Sequence, residues 1–291
     1  MSGQLRTLKN RIRSVESTKK ITRAMEMVAA SKLHRFQDMM VKARPYTEGL
    51  EKLLKRLGET EKAQHPFFEK REEKRTALLL MTSDTGLCGS YNNDLIGRAK
   101  AYLSGREGKK PLLIGVGKIG VNSFKRLGWD ATASYTDIKA SRIEEILADL
   151  KATLEKLFLE NQVDAIDTVY SHFLSVTNYQ TVTEKLLPFE GAPRAEAQTR
   201  RGLPVEYIFE PSKEFIFEKL VPLYFEAKVR TLFLESFVSE QIARMRAMHQ
   251  ATENAKEMID TLVLLRNKAR QAAITKEIIE IVSGSQALKL H

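Results

Sequence analysis

The residues whose types and spacing come nearest to chemistry are Gly115-Val116-Gly117-Lys118-Ile119-Gly120, a GxGxxG match that follows a strand-like run and opens a helical one. In that setting the glycines permit a tight turn, and the backbone N–H groups of a helix N-terminus can cradle a pyrophosphate. The rest of the fingerprint is missing. No second dinucleotide-binding half follows, and the acidic residue expected about 20 positions on is offered only by Asp130 or Asp137. Gly108-Lys109-Lys110 lacks the spacing of a phosphate-binding P-loop. The histidines, His34, His65, His172, His249 and His291, have no HExxH or other ligand spacing, and there is neither a GxSxG elbow nor a Cys/His cluster. Cys88, the single cysteine, permits no internal disulfide and is expected as a small packed residue. No self-contained active site, cofactor site or metal site is therefore expected, and an α/β enzyme built on the GxGxxG turn is a minor rival. A role in catalysis would have to be exercised on another chain's site.

What positions these residues is a chain organised by its two ends. From Leu223 to Ser283 there is no proline or glycine, a run that reads as one helix about 90 Å long. Met245, Met248, Ala255, Ile259, Leu262, Ala269 and Ala273 keep a 3-4 spacing interrupted by Thr252 and Arg266, the seam of a coiled coil. Ile274, Ile278, Ile279, Ile281 and Val282 then point in nearly all directions, and a helix apolar all round is normally enclosed. Something outside this chain is expected to enclose it. Gln4 to Arg44 is a second glycine- and proline-free run, about 60 Å as a helix, with Leu5, Leu8, Ile12 and Val15 in 3-4-3 spacing before the pattern drifts through Ile21, Met25 and Val28. Pro45 is expected to kink or interrupt it, with Leu50, Leu54 and Leu57 resuming the pattern until Gly58. The two runs are expected to pair as an antiparallel coiled coil.

Between Arg75 and Phe209 the period changes. Strand-like runs at 77–81, 112–116 and 165–176 alternate with helical stretches near 94–103, 118–127 and 141–159, which argues for an α/β domain with a mainly parallel sheet of Rossmann-like kind. Ser141 and Glu144 suggest a capping box for the last of these helices. Residues 190–202 read as a loop, Val205–Phe209 as a final strand, and Pro211–Ser212 as the return to helix. The expected division is thus a helix over 1–58, an α/β domain over 75–209 and a helix over 212–288 that packs with the first.

Charge adds a partner. Of a net +10, residues 1–44 carry +8, with 11 Lys and Arg against 3 Asp and Glu. An acidic surface is implied, either nucleic acid or an acidic protein loop, so a basic coiled-coil nucleic-acid-binding protein is the alternative reading. No apolar run approaches the roughly 20 residues of a membrane span, and no signal peptide is visible, so a soluble, cytosol-facing protein is expected.

Two stretches carry a specific match. Residues 11–33, RIRSVESTKKITRAMEMVAASKL, and residues 245–283, ending NKARQAAITKEIIEIVS, resemble the terminal helices of the gamma subunit of bacterial rotary (F-type) ATP synthases. TSDTGLCGSYNNDL at 82–95 resembles that family's TDRGLCG segment, with Thr85 where arginine is common, and YIFEP at 207–211 resembles its foot strand. The resemblance implies a non-catalytic central shaft. It would couple proton flow through a c-ring to active sites on beta subunits of an alpha/beta head, with an epsilon subunit as a further partner and no nucleic acid or bound cofactor. Such a subunit is peripheral on the cytoplasmic face of the bacterial inner membrane, and the cysteine-bearing redox insert of photosynthetic relatives is not seen near 190–202. By the same resemblance, Lys20, Arg23 and Met25 face an acidic lever loop of beta. Arg270, Gln271 and Thr275 form a catch on beta, and Tyr207, Phe209 and Glu210 contact the c-ring. The Arg270 guanidinium suits a carboxylate, with Gln271 and Thr275 adding neutral hydrogen bonds.

Overall fold

The computed structural model describes residues 2–57, 65–106, 111–175, 178–189 and 210–289. They fall into two compact units, Met1–Ala30 with Arg244–His291, and Ser31–Ala243. Two helices, α1 (Ser2–Leu57) and α5 (Lys213–Lys289), contribute to both.

In the first unit α1 and α5 run antiparallel, because Thr22 meets Thr252 and, one turn further along α1, Glu26 meets His249, one turn earlier on α5. The seam of α5 is the one its spacing predicts, with Met248, Thr252, Ala255 and Leu262 buried. The seam of α1 differs from expectation. It does not drift through Ile21, Met25 and Val28, but keeps strict 3-4 spacing through Ile12, Val15, Lys19, Thr22, Glu26 and Ala29, of which Ile12, Thr22 and Ala29 are buried. Ile21 and Val28, each 56 % exposed, are left outside it. A polar residue is admitted at the seam because its hydroxyl finds partners there: Thr252 Oγ1 lies 2.8 Å from Thr22 Oγ1 and 2.8 Å from the Met248 carbonyl oxygen.

In the second unit α1 does not stop or restart at Pro45, and α5 begins ten residues before Leu223, with Pro222 inside it. Proline forfeits one helical hydrogen bond. Packing on both sides outweighs that loss here. Phe36, Met40, Leu50, Leu54 and Leu57 bury the inner face of α1, and Thr47 bonds to Thr231 across the pair at 3.0 Å. Around Pro222, Phe217 and Phe225 pack into rings brought by Phe67, Phe68 and Phe189. The start of α5 is capped by Ser212, whose Oγ accepts from the Phe215 N–H at 3.2 Å.

Against these helices stands a five-stranded sheet in the order β3-β2-β1-β4-β5. Its strands are β1 (Thr76–Met81), β2 (Leu112–Val116), β3 (Ala131–Tyr135), β4 (Ala165–Ser175) and β5 (Asn178–Leu187), parallel except for the β4–β5 hairpin. Three helices connect them: α2 (Tyr91–Ser104), α3 (Lys118–Arg126) and α4 (Ile143–Leu159). Central β1 is buried along its whole length, as a parallel strand covered on both faces must be. The edge strands β3 and β5 were not expected, since ATASY and NYQTVTEKLL carry too few large apolar residues to stand out. The capping box at Ser141 is not formed. A short 3-10 turn, Ala140–Arg142, precedes α4, and Glu144 pairs instead with Arg230 of α5. The expected loop at 190–202 and strand Val205–Phe209 lie outside the described residues.

Candidate functional site

The GxGxxG turn leads from β2 into α3, and the polar residues after β1 occupy it. A phosphate here would be held by free N–H groups in the first turn of α3. Lys118 N–H donates to Asp84 Oδ1 at 3.0 Å, Ile119 N–H to the Ser83 carbonyl at 3.1 Å, and Gly120 N–H to Thr82 Oγ1 at 2.9 Å. Thr82 Oγ1 in turn lies 3.0 Å from the Val116 carbonyl, and Asp84 Oδ2 accepts from Ile138 N–H at 2.7 Å. The glycines serve this closure. Gly117 has φ +88°, and a Cβ there would lie 2.1 Å from the Thr82 carbonyl oxygen; one on Gly120 would lie 2.6 Å from Thr82 Oγ1.

A carboxylate therefore stands where a pyrophosphate would sit, and the donors are already used by the chain itself. Lys118 is also engaged, its Nζ 3.0 Å from Asp137, a pair that raises the lysine's pKa and lowers the aspartate's through their hydrogen bond. Asp137 is one of the two acids that the fingerprint might have recruited, and it is turned to this purpose. The loop from Ser83 to Asn92 is fastened in the same manner: Asn92 Oδ1 accepts from Ser83 N–H at 3.0 Å, and Asn92 Nδ2 lies 3.1 Å from Cys88 Sγ. Cys88 is 2 % exposed and packs in the core with Leu80, Leu95 and Phe124. Among the described residues no group of three His, Cys, Asp or Glu is placed to hold a metal ion. The roles of Thr82 and Asp84 escape the spacing argument, because their partners lie more than 30 residues away.

The residues singled out for contacts with other chains lie on the helices, apart from the foot. Lys20 and Arg23 are exposed and Met25 is half-buried on α1. At about 100° per residue, Lys20 and Arg23 share one flank of the seam and Met25 lies on the other. Near the far end of α5, Arg270, Gln271 and Thr275 are all exposed. Gln271 and Thr275 are one turn apart on a common face, with Arg270 about 100° round from Gln271, beside the seam. Beyond Ala273 the side chains of Ile274, Ile278, Ile279, Ile281 and Val282 are 49–72 % exposed. Glu210 is exposed just before α5, and Tyr207 and Phe209 lie outside the described residues.

Paired antiparallel helices, and a mainly parallel α/β sheet whose glycine-rich turn is filled by its own side chains, define the class of fold. The ATP synthase family model matches residues 4–288. The ATP synthase gamma chain of Moorella thermoacetica is 42% identical over 289 residues, covering 99% of this chain and 100% of that protein. That of Desulforamulus reducens is 41% identical over 286 residues, covering 98% and 99%. Among solved structures, a chain from the central stalk and c-ring of Tetrahymena thermophila mitochondrial ATP synthase matches with a TM-score of 0.61 at 26% identity, covering 79% of this chain and 99% of that one. A chain from Euglena gracilis mitochondrial ATP synthase in rotational state 3 shares the fold, with a TM-score of 0.69 at 19% identity over 99% of this chain and 95% of that one. The chain belongs to the ATP synthase gamma chain family, as a non-catalytic central-stalk subunit. Among the described residues no helix is long and apolar enough to cross a membrane.

Proposed function

We propose that this chain is the rotating shaft that carries torque between a proton-driven c-ring and a catalytic head of alpha and beta chains, whose beta chains hold the active sites. Its working parts are the paired helices over 1–58 and 212–288 and the α/β domain over 75–209. An epsilon chain completes the rotor, which works at the cytoplasmic face of a bacterial inner membrane. The observation that carries the reading is the end of α5, where five large aliphatic residues from Ile274 to Val282 are about half exposed or more. Enclosing each in a ring of subunits would return roughly 1 kcal/mol or more, so a sheath of partner chains is favoured.

The basic outer side of α1, with Lys20 and Arg23 exposed, supports a meeting with an acidic loop of the beta chains. Met25 would meet that loop only where it wraps past the seam. Gln271 and Thr275, with Arg270 beside them, offer directional and breakable hydrogen bonds, as a catch on a rotor requires. Tyr207, Phe209 and Glu210 are the proposed foot on the c-ring. The test is gel filtration of the purified chain with and without alpha and beta chains, followed by an ATP hydrolysis assay on the pooled peak. Co-elution with both in one hydrolytically active complex is expected. A chain that elutes alone, or binds nucleic acid in preference to these partners, refutes the reading.

A further inference from the structure

Within the second unit, α5 is buried without interruption from Leu232 to Ala243, more than three turns enclosed on every side. A helix in such a place is expected to be apolar all round. Besides Glu240 and Gln241, which bond to each other, this one carries Glu235, Ser236 and Ser239, each at most 4 % exposed. Burying such groups is costly unless each is bonded.

Glu235, Ser236 and Ser239 are each bonded to another element. Glu235 Oε1 takes Arg44 Nη2 of α1 at 3.3 Å, and its Oε2 meets His172 Nδ1 of β4 at 2.7 Å. The Tyr91 hydroxyl, at the first turn of α2, lies 2.9 Å from both the carbonyl oxygen and Oγ of Ser236. Ser239 Oγ donates to the Ser171 carbonyl of β4 at 3.2 Å. Three residues within five positions of one helix thus reach α1, α2 and β4 through bonds that span an arc of about 100°.

Apolar burial is non-directional: it resists withdrawal of a helix but sets its angle of rotation about its own axis only weakly. Hydrogen bonds weaken steeply when bent, so bonds to three surrounding elements fix that angle. We infer that Glu235, Ser236 and Ser239, with Arg44, Tyr91, Ser171 and His172, form a polar collar that locks the rotation of α5 to the α/β domain, so that twist applied to the domain enters the helix without slip. The inference rests on the shaft reading above and names the residues that make the shaft torsionally stiff.

The test uses the assembled complex, held by its head, with a bead attached through Leu159→Cys, which is 47 % exposed whereas the native Cys88 is buried. Stepwise rotation of the bead during ATP hydrolysis is first recorded without further change, and the angular spread of the bead is then measured with the head stalled. Tyr91→Phe and Ser239→Ala each delete one oxygen and keep most of the packing. The collar predicts a wider angular spread in each variant and a further widening when they are combined. A merely structural role would lower the unfolding temperature and leave the spread of the folded complexes unchanged, which overturns the collar. A bead that does not rotate before any collar change instead refutes the shaft reading. If the combined variant does not assemble, the single Tyr91→Phe decides: a spread equal to that of the unaltered collar overturns the proposal.

Discussion

Thr22 and Thr252 occupy facing seam positions, 8 % and 3 % exposed, and their hydroxyls are 2.8 Å apart. Each also has a backbone oxygen within reach, Lys19 for Thr22 at 3.1 Å and Met248 for Thr252 at 2.8 Å. Replacing either by valine keeps the β-branched shape and exchanges a hydroxyl for a methyl. A single change loses one hydroxyl–hydroxyl bond, about 1 kcal/mol, and gains a buried methyl, about 0.8 kcal/mol, so its net cost is near zero. The surviving threonine keeps its backbone acceptor and is not stranded. Changing both removes both hydroxyl protons and the two bonds they make, about 2 kcal/mol, and gains two methyls, about 1.6 kcal/mol, for a net cost of about 0.4 kcal/mol. The double variant therefore equals the sum of the singles, the signature of two hydroxyls that each fall back on a backbone oxygen when the other is removed. Hydrogen exchange at the amides of residues 246–256 in the full chain reads the local opening free energy in all four proteins. A departure from additivity of about 1 kcal/mol would refute the fall-back onto the backbone oxygens.

Gly117→Ala forces a side chain into a conformation suited to glycine and to within 2.1 Å of the Thr82 carbonyl oxygen. It should cost about 3 kcal/mol or more, read as a lowered denaturation midpoint, and a loss below about 0.5 kcal/mol would contradict the closed turn. The Glu144–Arg230 pair lowers the Glu144 pKa through its hydrogen bond, with Arg230 Nη1 2.7 Å from Oε1. Its contribution is complete above the ordinary carboxylate range and is lost as pH falls through the lowered folded value. Because Glu144 is 67 % exposed, Glu144→Gln should cost only about 0.2–1 kcal/mol at neutral pH and nothing once the carboxyl is protonated, as urea titrations at the two extremes would show. If the catch is as proposed, Arg270→Ala slows steady-state ATP hydrolysis by the assembled complex about tenfold, as loss of one charge-assisted bond predicts. Wild-type turnover in both Arg270→Ala and Gln271→Ala complexes would dismiss the catch.

How much of this molecule is legible in its sequence depends on whether the deciding interactions are local. The two long helices follow from runs without glycine or proline, and the strands β1, β2 and β4 from dense apolar stretches. Helix extents across Pro45 and Pro222 are set by aromatic and aliphatic packing from distant segments, which outweighs a lost hydrogen bond and leaves no local mark. The polar seam through Lys19, Thr22 and Glu26 is hidden for a related reason. Ile21 and Val28 look like better seam residues, yet Thr22 reaches a hydroxyl 230 positions away. Glu144 has the spacing of a capping residue and is drawn off by Arg230, 86 positions on. At the GxGxxG turn the glycines are visible, but what fills the turn, Thr82 and Asp84, comes from just beyond the end of β1, more than 30 residues away. The same glycine spacing serves an open phosphate cradle or a closed structural turn, and only the neighbouring side chains decide between them.

As proposed, this chain turns inside a head that hydrolyses or makes ATP. The most direct test holds the head of the reconstituted complex on a surface, attaches a probe to Leu159→Cys in the α/β domain and follows the probe's angle while ATP is hydrolysed. Unidirectional, stepwise rotation is predicted. A probe that keeps a fixed angle while the same complexes hydrolyse ATP would refute rotation of this chain.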